Sequence, residues 1–299
     1  MDTVIIRRYR ISDAPAVSSL FQEIYADHYP QPQVYLPSMI NQNHRQGRWH
    51  SLVALVNEQI RGHASLFRQS GRSALAELAL TVVHPQTRGQ HIATQLGRQL
   101  LIHAQALDCR GVTIKQVTHH PYTQRMAAGL GFHSSGLLPD YAPSPFGTQG
   151  RETIVVGHCS IDGYRRPLPA LDWPAYCREL MVHLQTVFGA TDTVAPWKGP
   201  SVHFEQTAGR YDVLLKALDD DLLKQLLQLP AHWLISLRLR LAQGFASSLH
   251  KLVGVGFAFT GIVPDERSEG WLALFHRGYQ PPTLTLHCPH MQRLLDQAR

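Results

Sequence analysis

The sequence predicts an α+β fold in which a mixed, mostly antiparallel sheet flanked by helices over residues 1–160 is followed by a second, truncated domain of similar design over residues 161–299. Three observations carry that reading. Apolar runs between Ser51 and Val83, parted by short polar segments, have the spacing of an antiparallel meander. At Ile92 the apolar period lengthens from that of a strand to that of a helix. A segment beginning Gly129-Leu130-Gly131-Phe132 returns as Gly254-Val255-Gly256-Phe257, a whole domain further on.

The elements follow in order. Residues 4–10 alternate as a strand, and Ser12-Asp13-Ala14-Pro15 supplies a capping hydroxyl and a proline suited to a first helical turn. That helix runs through Val17, Leu20, Phe21 and Ile24; a proline-rich connection at residues 29–32 and a short polar helix at 39–45 come next. Strands are expected at 51–56, 60–67 and 74–83, joined by hairpin-length segments at 57–59 and 69–73. Ile92, Leu96, Leu100, Ala104 and Leu107 form one stripe of an amphipathic helix. The strand at 112–117 is reached through that helix and therefore runs parallel to its predecessor. A further helix leads into residues 129–132, and a last strand spans 152–156, giving the order β-α-α-β-β-β-α-β-α-β. Past a boundary near residues 161–169, a helix is expected at 173–188, with strand-like segments at 202–215 and 233–241.

Composition removes several classes of function. Of 299 residues 44% are apolar and 17% charged, which suits a chain that buries a core. No apolar run approaches the ~18 residues of a membrane helix, and the first ten residues lack the order of a signal peptide, so a soluble cytoplasmic protein without membrane partners is expected. The four cysteines, Cys109, Cys159, Cys177 and Cys288, form no C-x-x-C pair, and the 18 histidines show no metal-ligand spacing; no metal site is expected. A net charge of +6 favours anionic partners, but the basic residues are dispersed, which argues against nucleic acid.

The segment His84-Pro85-Gln86-Thr87-Arg88-Gly89-Gln90-His91-Ile92-Ala93 joins an apolar strand to a helix. A helix start offers unpaired N–H groups and the positive end of the macrodipole, a phosphate-binding arrangement to which Arg88 adds a fixed charge. Strand, Val-x-Pro-x-x-Arg-Gly-x-x-Ile-Ala, helix, strand, then a helix ending in Leu-Gly-Phe resembles the GNAT superfamily of N-acetyltransferases over residues 3–158. Gly62-His63-Ala64-Ser65-Leu66 on the third strand and residues 77–85 on the fourth share the likeness. The family's Q/R-x-x-G-x-G/A signature fits Arg88 to Ala93 or Gln86 to His91, and in either register His91 stands at a glycine position.

The resemblance implies a GNAT fold that binds acetyl-CoA or another acyl-CoA as co-substrate. Thr81, Val82 and Val83 would hold the pantetheine arm, and Arg88, Gly89, Gln90, His91, Ile92 and Ala93 the pyrophosphate. The implied reaction moves an acyl group to a primary amine of a small molecule or peptide. Such transfer needs a base for the amine and an acid for the leaving thiolate. Glu77 stands where the family often carries its base; the competing reading is a carboxylate paired with an arginine across the sheet. The family's acid is a tyrosine four residues before the glycine of the Leu-Gly-Phe turn, here Ala127, so His120, Tyr122, His119 and Tyr141 become the candidates. Ala127 and His91 also motivate an alternative, a non-catalytic acyl-CoA sensor or interaction module.

Residues 129–140 and 254–265 share six identical pairs of twelve, and Gly131 to Gly256 spans 125 residues. At that spacing the counterpart of the Arg88 loop falls near residues 211–218, where no Arg-Gly element occurs and Asp219-Asp220-Asp221 follows. Acidic residues at a helix start cap it and repel phosphate, so the second half is expected to be a degenerate GNAT-like domain that does not bind coenzyme A.

Overall fold

In a computed structural model the described residues are 3–70, 73–146, 150–207, 209–280 and 283–297. The first half contains β1 (Val4–Arg8), α1 (Ala14–Tyr25), α2 (Pro37–Arg45), β2 (Trp49–Val56), β3 (Gln59–Phe67), β4 (Leu75–Val83), α3 (Ile92–Ala106), β5 (Gly111–Val117), α4 (Tyr122–Gly129), β6 (His133–Pro143) and β7 (Arg151–Ser160). The second contains β8 (Leu168–Pro169), α5 (Ala175–Phe188), β9 (Ala190–Thr191), β10 (Val202–Thr207), β11 (Arg210–Leu215), α6 (Asp220–Gln228), β12 (Ile235–Arg240), α7 (Phe245–Gly254), β13 (Ala258–Pro264), β14 (Trp271–Arg277) and α8 (Pro289–Gln297). The meander arises as its sequence predicts: Asn57 and Glu58 both take positive φ, the geometry of a two-residue hairpin turn between β2 and β3. The stripe of α3 is buried at Ile92, Leu96, Leu100 and Ala104, packed with Leu66, Leu78 and Ile114 of the sheet. On the opposite face Phe21 and Leu20 of α1 pack with Ile40, Val53 and Val82.

Two parts of the sequence reading need correction. The predicted order lacks β6, whose Gly136, Pro139 and Asp140 are residue types that disfavour a strand. They lie instead at two irregularities in the β6–β7 ladder, between Ser134 and Gly136 and between Leu138 and Ala142. The strand-like segment at 202–215 is a hairpin of two strands, so most of residues 211–218 is β11 and not a loop.

Among the described residues twelve strands form one continuous sheet, in the order β1-β2-β3-β4-β5-β7-β6-β13-β14-β12-β11-β10. Order and direction repeat about its middle. β3, β4, β5, β7 and β6 pair antiparallel, parallel, antiparallel, antiparallel. β10, β11, β12, β14 and β13 do the same. Reading across each ladder, Glu77 neighbours Thr113, which neighbours His158; in the second half Asp212 neighbours Ser236, which neighbours His276. The sequence repeat marks the seam, where Gly261 of β13 pairs with Gly136 of β6. Gly261 has φ +110°, and a Cβ there would lie 2.3 Å from the Ser135 carbonyl oxygen and 2.7 Å from the Gly136 Cα. Both copies keep glycine because backbones meet there.

The halves are clasped a second time through the connection between them. Arg166, 3% exposed, donates to the carbonyls of Asp265, Ser268 and Gly270, while the Trp271 indole donates back to the Arg166 carbonyl. Nearby, Glu269 accepts from Tyr164 and pairs with Arg110 at the start of β5.

Candidate active site

The sheet opens between β4 and β5. They pair in parallel only from Leu75–Leu78 to Gly111–Ile114; farther on, β4 is bonded to β3 alone and β5 to β7 alone. The β3–β4 register shifts between His63 and Ser65, opposite Leu80, whose φ is +54°. His63 Nδ1 lies 2.9 Å from the Leu80 carbonyl oxygen and steadies that kink; burial pushes its imidazole down to about 4, so it is neutral and donates. The His84 N–H bonds the Arg61 carbonyl, and antiparallel alternation then leaves the peptide groups of Thr81 and Val83 facing the gap. Val82 turns its side chain into the core, 3% exposed.

The start of α3 lies at this opening. His91 is the residue before the helix and takes the left-handed conformation, φ 57° and ψ 20°, which explains why glycine suits that position. A non-glycine there costs about 1–2 kcal/mol. Its imidazole is exposed and caps nothing. Among the described residues the N–H groups of Gly89, Gln90, His91, Ile92, Ala93 and Thr94 have no hydrogen-bond partner; the first amide engaged is Gln95, which bonds the His91 carbonyl. Gly89 has φ +83°, and Ile92 anchors the turn in the core. Arg88 is exposed and, among the described residues, pairs with no carboxylate. The N-terminus of a fifteen-residue helix with six unengaged amides and a free guanidinium fits a diphosphate.

The corresponding place in the second half is closed. β11 and β12 pair along five successive residues, Tyr211–Leu215 with Ile235–Leu239, and leave no gap. The helix after β11, α6, is capped by its own chain: Asp219 Oδ1 accepts from the Leu222 N–H at 2.8 Å, and Asp220 and Asp221 fill its first turn.

The proposed catalytic residues fall into two groups. Glu77 Oε2 is 2.8 Å from Lys115 Nζ, the residue two beyond its ladder partner Thr113, so its partner across the sheet is a lysine. Glu77 Oε1 takes no partner among the described residues. Lys115 Nζ also lies 5.4 Å from the centre of the Tyr141 ring. Burial alone would lower the Lys115 ammonium, but the Glu77 carboxylate and Tyr141 outweigh it and hold the lysine above its ordinary value.

His120 and Tyr122 sit at the mouth of the gap, their rings 5.1 Å apart. Tyr122 opens α4 and is 70% exposed. The His120 ring packs 4.4 Å from His119, whose Nδ1 is 2.9 Å from Glu152 Oε2. Burial, then His119, then Arg88 push His120 below the usual histidine value. Phe146 bridges this group to Tyr25 of α1, 5.6 Å from each of His119 and Tyr25. No hydrogen bond or ring contact links Glu77 to His120 or Tyr122 among the described residues. Ala127, at the family's tyrosine position, is 1% exposed, and its carbonyl accepts from Phe132. Sequence alone does not single out Lys115, Glu152 or Phe146, and it offers Tyr141 as one option of several. Lys115, the one charged residue of β5, is the available signal.

The family model for acetyltransferases of the GNAT family matches residues 14–132. Among solved structures, this chain is similar to an N-acetyltransferase from Staphylococcus aureus Mu50, at 16% identity and TM-score 0.47, covering 53% of this chain and 98% of that one. It is also similar to the ribosomal-protein-S18-alanine N-acetyltransferase from Escherichia coli, at 18% identity and TM-score 0.45, covering 53% and 94%. A third is yncA from Salmonella typhimurium with its cofactor acetyl-CoA, at 16% identity and TM-score 0.47, covering 55% and 98%. No curated protein matches the sequence. Residues 14–132 are thus similar to the GNAT family of acetyltransferases.

Proposed function

We propose that the first half moves an acetyl or other short acyl group from acyl-CoA to a primary amine of a small molecule or peptide, and that residues 161–299 are a degenerate copy of the fold without a cofactor site. One observation carries this reading: six unengaged amides at residues 89–94, backed by Arg88, at the open end of the β4–β5 gap. The diphosphate would lie on those amides, and the pantetheine along the Thr81 and Val83 peptide groups. When bound, acetyl-CoA would supply an acyl carbon activated by its thioester. Glu77, with Oε1 open, takes the proton the amine loses as the C–N bond forms. As the C–S bond breaks, a proton passes to the sulfur from the His120, Tyr122 and Tyr141 side of the mouth, while backbone N–H groups of β4 steady the oxyanion.

Calorimetric titration with acetyl-CoA, followed by thiol detection over amines, polyamines, amino acids and peptides, tests the reading. Saturable heat and acceptor-dependent thiol release are expected, and no heat at millimolar ligand would remove the assignment. Glu77→Gln is expected to lower kcat by about 100-fold, within the range of a positioned base, and to leave acetyl-CoA affinity unchanged. An unchanged kcat would show that another group is the base. The buried Ala127 favours a second reading, an acyl-CoA sensor, for which heat would come without thiol release.

A further inference from the structure

The second half reaches the Tyr141 side of the cleft, where Leu274 of β14 packs with Leu138 and Val156 beside Tyr141. Arg210, the first residue of β11, lies 4.3 Å over the Tyr141 ring and donates from Nη1 to the Tyr141 carbonyl, 69 residues away in sequence. It is 7% exposed, and its Nε is fixed at 3.1 Å from both oxygens of Asp212. Arg151 of β7 holds the same stretch of β6 from the other side, donating to the carbonyls of Asp140 and Tyr141 at 2.7 and 3.0 Å. Tyr141 sits in the irregular end of β6, where the β6–β7 ladder breaks after Leu138 and resumes at Ala142, so Tyr141 itself has no ladder partner. Both guanidiniums hold its carbonyl. Lys115 Nζ in turn lies 5.4 Å from the centre of the Tyr141 ring and 2.8 Å from Glu77 Oε2.

We propose that Arg210 is a positioning residue for acyl transfer: through Tyr141 and Lys115 it fixes the carboxylate of Glu77, so the second half, lacking a cofactor loop of its own, completes the working cleft of the first. The inference rests on the function proposed above. Asp212 stands in the ladder where Glu77 stands in the first half, and here it serves as the anchor for Arg210. A place equivalent to the proposed base in one half thus supports the base in the other.

The test is a double-mutant cycle on the full chain, with Arg210→Gln, Tyr141→Phe and the pair, read by kcat, KM and the pH profile of kcat, alongside acetyl-CoA calorimetry. Each single variant is expected to lose roughly 10- to 100-fold in kcat, the scale of a reacting group displaced by about an ångström. The double variant should lose little more than either one, because both act on a single chain of contacts. Acetyl-CoA affinity should not move, the acidic limb of the pH profile should shift in both single variants, and Arg210→Lys should recover part of kcat. Arg210→Gln/Asp212→Asn removes the anchor carboxylate together with the guanidinium, so a folding defect in Arg210→Gln does not decide the outcome; Tyr141→Phe keeps the ring under Arg210. If wild-type protein turns over and kcat and its pH profile are unchanged in Arg210→Gln and Tyr141→Phe, the positioning role is overturned and the acyltransferase reading stands. Additive losses would also overturn it. If wild-type protein gives no heat with acetyl-CoA, the function proposed above fails, and this inference with it.

Discussion

Replacing Gly261 with alanine should open the seam between the halves. The new Cβ would meet three backbone atoms, the Ser135 oxygen at 2.3 Å, the Gly136 Cα at 2.7 Å and the Ser135 carbonyl carbon at 3.1 Å. Ordinary contact for a Cβ begins near 3.4 Å, so β6 and β13 must part by close to an ångström at the point where they pair. Backbone cannot swing aside as a flexible side chain can. The φ of +110° adds strain of about 1–3 kcal/mol for any residue with a Cβ, and the overlap adds a further 1–3 kcal/mol, by analogy with overpacked cores. A loss of roughly 3 kcal/mol or more lowers Tm by about 5–10 °C in a chain of this size. Gly163→Ala is the control, since Gly163 has φ +70° but no atom within 4 Å of where its Cβ would stand, so only strain is felt. Calorimetric or circular-dichroism melts of the two variants measure the difference. Equal Tm values for Gly261→Ala and Gly163→Ala would refute the close approach of the two repeats.

Three further outcomes follow from named groups. His63, His158 and His276 are buried, and burial pushes them down to about 4, 3 and 3, so the folded chain keeps them neutral while the unfolded chain protonates them near 6.5. Their contribution is full above 6.5 and is lost as pH falls toward 4, on the order of 1 kcal/mol per pH unit for each, so urea midpoints at pH 7, 6, 5 and 4 should fall steadily; a flat profile would contradict it. Arg88→Ala should weaken acetyl-CoA binding roughly fivefold to tenfold at low salt and less at high salt, checked by calorimetry at two ionic strengths. His91→Gly should raise Tm slightly by relieving the positive φ, without loss of acetyl-CoA affinity in the same titration.

Legibility in the sequence followed local physics. The meander, the α3 stripe and the loop after β4 could be read because each depends on neighbouring residues: alternation, a 3.6-residue period, a glycine and an arginine before an apolar helix. β6 could not, because its bulges place Gly136 and Asp140 inside a strand, and a bulge is fixed by the partner strand. The 125-residue spacing from Gly131 to Gly256 marks the repeat but misplaces the counterpart of the Arg88 loop, since the connections between equivalent strands differ in length. By ladder position Glu77 corresponds to Asp212, and the loop after β11 is only residues 216–219. The reach of Lys115 to Glu77 needed the β4–β5 register, and the contact of Arg210 with Tyr141 needed the whole sheet.

Backbone amide chemical shifts during titration with coenzyme A test the phosphate cradle most directly. Residues 89–94 should shift together and saturably, Arg88→Ala should weaken that response, and Leu222 at the capped start of α6 should stay still. Silent amides at 89–94, or a response centred on residues 219–222, would contradict the assignment of the cofactor to the first half.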